Sequence, residues 1–339
     1  MKRFALAAGL WFALAGVSPL PPVNDALILG DTLPLNLSSF SMGFANGTPT
    51  NEGITPYSLR NPLFSDYAEK FRFAYVPRGQ KVAYRSEGVL DFPVGSVLIK
   101  SFGYPADFRM PDANIRMIET RLLVRRTSGW VALPYVWDAD GKDATLKRAG
   151  TRVNVKWTHS DGKPRAISYG VPNVNQCKDC HALSGVMTPI GPKARNLSVD
   201  LFKAGLVEGA PATFAKLPVW DDPASGGLGD RARAYLDVNC AHCHNRAGAA
   251  SNSGLYLSFE EPKGVAVGVG KRPVAAGRGG GGFDFAINPG HPESSILLYR
   301  LKSVDPGIAM PELGRAMAHT EGIALLSEWI RGMKADGKE

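Results

Sequence analysis

The chain has 339 residues, of which 44% are hydrophobic, and a formal net charge of +8. This length allows two or three compact domains, and the composition excludes a disordered or fibrous protein. The positive charge on its own would suggest an acidic partner or nucleic acid, so its origin matters for the interpretation below.

The first residues have the pattern of an export signal. Lys2 and Arg3 precede an apolar run from Phe4 to Val17, and Ala13-Leu14-Ala15 offers a cleavage site of small residues. We therefore predict a signal peptide over residues 1–18 and a mature chain in the bacterial periplasm. The apolar run is short for a membrane span, so we expect no stable anchor in the bilayer.

A β-rich region follows an N-terminal segment that we expect to be extended. The polar, proline-bearing residues 19–54 form that segment, and residues 55–170 form the predicted β-rich domain. Thr127-Ser128-Gly129 predicts a hairpin turn and Asp161-Gly162 a second turn. Alternating and β-branched patterns predict strands at Phe71–Val76, Lys81–Arg85, Ser96–Phe102, Ile115–Arg126, Gly129–Trp137 and Arg152–Thr158. Several short strands with such turns favour an antiparallel sandwich or barrel.

All four cysteines belong to two copies of Cys-x-x-Cys-His, the attachment signature of c-type haem. In this signature two thiols bond to the vinyl groups of one haem, and the histidine ligates the iron. Two CxxC pairs could instead bind one zinc ion, but the histidine after each pair would then be unexplained. We predict two covalently attached haem c groups, held by Cys177, Cys180 and His181 and by Cys240, Cys243 and His244.

Helices are expected around both motifs. A short helix is predicted over Val199–Ala204, and a second helix, capped by Asp230, would run into the second motif. A third helix, capped by Thr320 and with Glu321 in its first turn, would bury one face, formed by Ile323, Leu326, Trp329, Ile330 and Met333. We assign residues 171–225 to a first haem segment and residues 226–339 to a domain with the second haem.

This second domain resembles class I cytochromes c, in which a helix that ends at CxxCH crosses a closing helix. The resemblance implies an α+β multidomain chain, with an antiparallel β-rich N-terminal domain followed by mainly α-helical cytochrome c domains. It also implies that Met310, in Ala309-Met310-Pro311, is the distal iron ligand of the second haem, with Met317 and His319 as fallbacks.

A wider resemblance covers most of the chain after residue 50. Val171-Pro172-Asn173-Val174-Asn175-Gln176 before the first motif, Pro189–Asn196 and Ala275–Arg300 are similar to segments of an exported bacterial dihaem c-type cytochrome family. Genes of that family tend to neighbour a parallel β-helix protein, which makes such a protein a candidate partner. The resemblance does not supply a physiological reaction.

The distal ligand of the first haem stays open between several residues. Met187 lies six residues after His181, and His159 ends a predicted strand from which it could reach this haem. Met110, Met117 and His319 are further alternatives. If no side chain fills this position, the first iron is accessible to small molecules.

We expect an electron-transfer protein that passes electrons between periplasmic redox partners. The alternative is a haem enzyme, peroxidase-like or acting on another small molecule, with an open first haem. A third interpretation is a binding protein whose β domain recognises its partner. Loss of Lys2 and Arg3 with the leader, and the propionates of two haems, would remove most of the net positive charge. We therefore expect no nucleic-acid partner.

Overall fold

The computed structural model describes residues 21–45 and 47–334, so the predicted signal peptide lies outside the described residues. Fourteen strands are described: β1 (Phe44–Ala45), β2 (Thr48–Pro49), β3 (Ile54–Pro56), β4 (Glu69–Tyr75), β5 (Val82–Ala83), β6 (Val97–Pro105), β7 (Ile115–Arg126), β8 (Gly129–Trp137), β9 (Ala144–Leu146), β10 (Thr151–Thr158), β11 (Pro164–Val171), β12 (Ala182–Leu183), β13 (Val186–Met187) and β14 (Val207–Glu208). The α-helices in these ranges are α1 (Asp25–Leu29), α2 (Val174–His181), α3 (Asp200–Lys203), α4 (Leu228–Asn239), α5 (Ile296–Lys302) and α6 (Thr320–Gly332).

The central element is a six-stranded antiparallel sheet with the strand order β3-β4-β6-β7-β8-β9. The predicted strands of this region are confirmed with shifts of one to three residues at most ends, and β7 and β8 have the predicted bounds. Arg126 pairs with Gly129 across the predicted hairpin turn. β10 and β11 form a separate hairpin whose alternation also follows the prediction, since Val155 and Trp157 are buried.

One face of this sheet, the first face, carries the main hydrophobic core. Side chains from β4, β6, β7 and β8 pack there against the described part of the predicted extended segment. That segment contains α1 and a 3-10 turn at Leu37–Phe40, and it buries Ile28, Leu37 and Phe40 completely. Apolar burial of this kind contributes about 25 cal/mol per Å², which explains why a proline-bearing segment folds onto the sheet.

The opposite face, the second face, is divided into three zones along the strands. At one end Ala74 and Leu98 pack against Leu197 and Leu201, which follow the first motif. At the other end Phe102 and the hairpin of β10 and β11 form an aromatic cluster. Between these zones, the second face borders a cavity instead of a packed layer. This cavity lies where the two Cys-x-x-Cys-His motifs approach the sheet.

The expectation of mainly α-helical cytochrome domains is wrong. The structure has 23% helix and 25% strand, and α4 and α6, the longest described helices, have 12 and 13 residues. Between His244 and α5 the chain runs through loops and 3-10 turns at Ser251–Ser253, Val265–Val267, Gly277–Gly280 and Pro292–Ser294. The physical reason is composition: this stretch is rich in glycine and proline, which disfavour helix interiors.

Both helices begin near the predicted positions, but the predicted N-caps Asp230 and Thr320 are wrong, since each lies inside the first turn. Asp230 lies in the first turn of α4, whose N-cap is Gly227, and Thr320 is the first residue of α6, whose N-cap is His319. α4, α5 and α6 enclose a second hydrophobic core that includes Leu326, Trp329 and Ile330. α6 and α4 approach closely where Gly322 faces the Tyr235 ring. A Cβ at position 322 would overlap that ring, so a residue without a side chain fits there.

The segment from Asn61 to Tyr67 connects the sheet to this helical core. The Asp66 carboxylate accepts hydrogen bonds from the backbone N–H groups of Ala316 and Met317 at 2.7–2.9 Å. The backbone N–H of Phe64 donates to Asn239 Oδ1 at 2.8 Å. These bonds fix the distance between the two walls of the cavity.

Every helix within residues 21–45 and 47–334 is too short or too polar to span a bilayer.

Candidate functional site

The cavity has a volume of about 970 Å³ and is lined by both Cys-x-x-Cys-His motifs. The sheet contributes one wall, through residues such as Lys100 and Leu123, and the loop before α6 contributes Met310. Sites that enclose a cofactor or another small molecule usually occupy roughly 300–1,000 Å³. The cavity is therefore large, and its walls come from parts of the chain that are far apart in sequence.

The first motif lies within a helix. Cys177, Cys180 and His181 are in the last turns of α2, so their spacing of three and four residues places them on one helix face. The helix starts with a capping box: Asn173 accepts from the N–H of Gln176, and the Gln176 side chain accepts from the N–H of Asn173. The cap fixes the start of α2 and thereby the direction of both thiols.

The imidazole of His181 is oriented by a hairpin that follows it. β12 and β13 pair through Ala182 and Met187, which returns Thr188 to the start of the hairpin. His181 Nδ1 lies 3.1 Å from the Thr188 carbonyl oxygen. Because a carbonyl only accepts, Nδ1 carries the proton and Nε2 keeps its lone pair for a metal.

The second motif lies in the turn that follows α4. Cys240 is the C-cap of α4, and the N–H groups of Cys243 and His244 donate to its carbonyl at 3.1 and 2.9 Å. This arrangement confirms the prediction of a helix that runs into the second motif. The tight turn, instead of a helix face, brings these thiols and the histidine to the cavity.

His244 is oriented in the same way as His181, but by a side chain. Its Nδ1 lies 3.2 Å from Ser253 Oγ, and the Ser253 hydroxyl donates its own proton to the Ala250 carbonyl. Ser253 Oγ therefore accepts from Nδ1–H, which leaves Nε2 of His244 free for a metal. A hydrogen bond from the second ring nitrogen of this kind is the usual support of a metal-bound histidine.

Burial keeps both histidines neutral at neutral pH. Loss of hydration lowers the pKa of His181 and of His244 from 6.5 to about 4. Burial also raises the pKa of Cys177, and that of Cys240 to about 12. These two cysteines are therefore protonated thiols and both imidazoles are uncharged in the protein without a cofactor.

The two motifs approach each other through their second cysteines. One ligand atom each from Cys180, His242 and Cys243 lies within 4.8 Å of the others. A hydrogen bond between the two thiols raises the pKa of Cys180 and lowers that of Cys243. His242 Nδ1 is buried without a hydrogen-bond partner. Cys177 and Cys240 do not belong to this group, so the structure does not bring all four thiols together as a zinc site made of four cysteines requires.

Met310 lies on the cavity wall in a loop that arginines hold in place. Its N–H donates to the Arg300 carbonyl at 3.1 Å. Arg300 Nε donates to the Ile308 carbonyl, and Arg315 donates to the carbonyls of Arg300 and Ser303. The structure thus brings Met310 to the same cavity as His244, as the sequence predicted.

Four of the five alternatives for the first distal ligand do not line the cavity, namely Met187, His159, Met110 and Met117. Met187 is part of the hairpin that orients His181. His159 accepts from Trp157 Nε1 at 3.4 Å and packs against Tyr67. Among the fallbacks, Met317 packs in the aromatic cluster, whereas His319 lines the cavity and bonds to the Tyr235 hydroxyl at 3.0 Å.

Sequence reasoning missed the residues that support the motif histidines. The Asn173–Gln176 cap has a recognisable spacing and could have been found from the sequence. Thr188 acts through its backbone carbonyl, which any residue could supply, and Ser253 acts from a turn in an irregular loop. Neither residue could therefore be recognised from a sequence pattern. The cations on the cavity wall could be found only from the register of β4, β6 and β7.

Comparison of the chain with models of protein families, with curated proteins and with solved structures finds no match. The chemistry of the thiols and imidazoles that line the cavity therefore indicates which group it could hold. Each motif presents two thiols and one neutral imidazole with a free Nε2 to a single large cavity. These residues fit the covalent attachment and axial ligation of haem c.

Proposed function

We propose that the chain is a periplasmic dihaem c-type cytochrome that transfers electrons between redox partners. The observation that supports this most strongly is that both motifs line one cavity, each with its histidine oriented through Nδ1. Chance CxxCH sequences would not be expected to share a cavity or to have the supporting acceptors at 3.1 and 3.2 Å.

The residues of the chain have separable tasks in this function. Cys177, Cys180, Cys240 and Cys243 would attach the two groups, and His181 and His244 would hold the irons from one side. Met310 would ligate the second iron, which favours the ferrous state and raises its potential. The cofactors supply one-electron redox chemistry, while the sheet and the helical core exclude water from them.

The distance between the motifs favours a carrier. Cys180 and Cys243 have their sulfurs within 4.8 Å of each other, so the two attachment points are adjacent. Such proximity suits transfer within one molecule, with partners docking outside. The natural partners would be other periplasmic redox proteins, and a parallel β-helix protein is a further candidate.

The test is a count of covalent haem. The full chain is produced with its leader in a host that attaches haem c, and the purified protein is analysed by intact mass and by the pyridine haemochrome spectrum. We expect two haems per chain in the wild type and one in the double variant Cys177→Ser, Cys180→Ser. A chain with stoichiometric zinc and no covalent haem would exclude the proposal.

A haem enzyme is the second candidate, because His319 is the one alternative first ligand that lines the cavity and its Nδ1 is already bonded to the Tyr235 hydroxyl. Carbon monoxide binds ferrous haem where a coordination position is open or weakly held. No spectral change on adding it to the reduced protein would support the carrier. A change that corresponds to one haem per chain in the wild type, and that rises to two haems in Met310→Ala, would place the open iron at the first motif and favour the enzyme.

A further inference from the structure

Three basic side chains form a row on the sheet wall of the cavity. Arg72 is directly opposite Lys100 in the pairing of β4 with β6, and Lys100 is directly opposite Arg121 in the pairing of β6 with β7. All three line the cavity, and we call them the cation row. Like charges directly opposite each other on neighbouring strands are destabilising, so the row raises the free energy of the fold unless negative charge compensates it.

Among the described residues, a carboxylate is hydrogen-bonded to this row only at Arg121. Arg121 donates to the Glu119 carboxylate, with Nε 2.9 Å from Oε2, and the Tyr169 hydroxyl holds Glu119 at 2.6 Å. Lys100 Nζ lies 4.6 Å from the centre of the Phe102 ring. Arg72 donates to the Lys70 carbonyl, and its Nη2 is buried without a hydrogen-bond partner.

Two other cations on the cavity wall have a carboxylate beside them. Lys193 Nζ lies 3.5 Å from Asp237, and Arg300 Nη2 lies 3.8 Å from Glu312. Within residues 21–45 and 47–334, no ion pair to a carboxylate is found for Arg72 or Lys100. A charge that is removed from water without a partner is costly, and burial beside Arg72 accordingly holds the pKa of Lys100 well below its usual range. An anion beside Lys100 would favour its charged form again. The middle of the cation row is therefore prepared for an anion that enters the cavity.

Electrostatic interactions connect the cation row with the first motif. Arg121 acts electrostatically on Cys177, and Arg121 and Lys100 act on His181. For His244 the corresponding arginine is Arg300, from the opposite side of the cavity. α2 and β13 also pack against β8, the strand beside Arg121. An anion on the cation row would therefore belong to whatever is attached at Cys177 and Cys180.

We propose that the cation row binds the propionate carboxylates of the haem attached at the first motif. This inference rests on the proposed function and assigns a task to the β-rich part of the chain. The sheet compensates the charge of a cofactor that is attached elsewhere in the sequence. A free oxyanion shares the same chemistry, and the second part of the test separates the two sources.

The first part of the test measures the midpoint potential of each haem against pH in the haem-loaded full chain. Lys100→Met removes the central cation, and Arg72→Met is the second variant in case the first does not fold. Lys156→Met is the matched control, because Lys156 is an exposed lysine on a strand. We expect one of the two potentials to fall in both cavity variants, since losing a cation stabilises the ferric state.

A second consequence concerns the ionisation of the propionates. Loss of a neighbouring cation disfavours the charged carboxylate and raises the pKa of the propionate. The pH at which the slope of midpoint potential against pH changes should therefore move upward. The control should match the wild type in both quantities. Unchanged potentials in Lys100→Met and in Arg72→Met, or equal shifts in the control, would overturn the inference.

The second part of the test adds inorganic phosphate or acetate to the ferric protein. A site already filled by propionates should give no saturable spectral change. A saturable change in the wild type that is lost in Lys100→Met would show a free-oxyanion site and overturn the assignment to propionates. Failure of the proposed function would appear earlier and separately, as a purified chain without two covalent haems.

Discussion

The hydrogen bond made by Nδ1 of each motif histidine is the residue-level detail on which the site depends. In both motif histidines Nδ1 donates to an oxygen supplied by a following turn, the Thr188 carbonyl or the Ser253 hydroxyl. This fixes the tautomer and the ring plane before any metal is present. The two acceptors differ, and only the one at Ser253 can be removed by substitution.

Ser253→Ala removes the acceptor for His244 Nδ1 and should raise the midpoint potential of the second haem. A less basic imidazole stabilises the ferric iron less, and a tenfold effect on relative affinity corresponds to ~59 mV. We expect a rise on the order of 60 mV in a spectroelectrochemical titration. Ser251→Ala, two residues earlier in the same turn, is the control, and equal shifts in both variants would contradict the prediction.

Met310→Ala should remove the weak red absorption that a methionine–Fe(III) bond produces, and it should lower one potential. The variant leaves the loop anchored, because Arg300 and Arg315 bind backbone carbonyls that the substitution does not alter. Met317→Ala is the comparison, since Met317 packs in the aromatic cluster and not on the cavity wall. Persistence of the band in Met310→Ala would refute the assignment.

At the scale of elements, local pattern was a reliable guide to the strands and a poor one to the arrangement of the second half. β7, β8 and β10 were predicted because alternation and turn residues are local signals. The lack of extensive helix after His244 was not predicted. The resemblance to cytochromes c implies helices there, although this stretch is rich in glycine and proline. The packing of α1 on the sheet and the cation row depend on contacts between distant residues, which no single-sequence pattern encodes.

The contact between α4 and α6 gives a prediction about stability. Gly322→Ala should destabilise the protein by about 1–3 kcal/mol, because the new Cβ would overlap the buried Tyr235 ring. Urea unfolding followed by circular dichroism measures this change. Gly332→Ala is the matched control on the same helix, since a Cβ there would meet no atom within 4 Å. A Gly322→Ala variant as stable as the control would mean that the helices are not held by this contact.

At the scale of the whole molecule, His319 lies where the segment beside the sheet contacts the helical core. Its ring stacks on Phe64 at 4.2 Å between centroids and contacts Tyr67 and Trp220, and Nδ1 bonds the Tyr235 hydroxyl. It thereby joins the segment beside the sheet to the helical core. Burial lowers its pKa from 6.5 to about 4. The contact between the sheet segment and the helical core therefore contains an uncharged His319 at neutral pH.

This lowered pKa predicts how stability depends on pH. Because the unfolded chain takes up a proton near pH 6.5 and the folded chain only near pH 4, His319 contributes stability above pH 6.5 that is lost toward pH 4. Between pH 7 and 4.5 the wild type should lose about 2.5 kcal/mol more than His319→Gln. The free energy of unfolding in urea at both pH values tests this, with His291→Gln as the exposed control. Identical losses in wild type and His319→Gln would contradict it.

The contact between Cys180 and Cys243 has a consequence for how such a protein matures. In the oxidising compartment that we predict for the chain, the lowered pKa of Cys243 makes it the more reactive thiol, and the Cys180 thiol of the other motif lies within 4.8 Å of it. A disulfide formed there would take one attachment point from each motif at once. We therefore expect maturation to require a reductant that keeps Cys180 and Cys243 as free thiols until the first haem is attached. Attachment of haem at one motif would then prevent this disulfide and leave the other motif available.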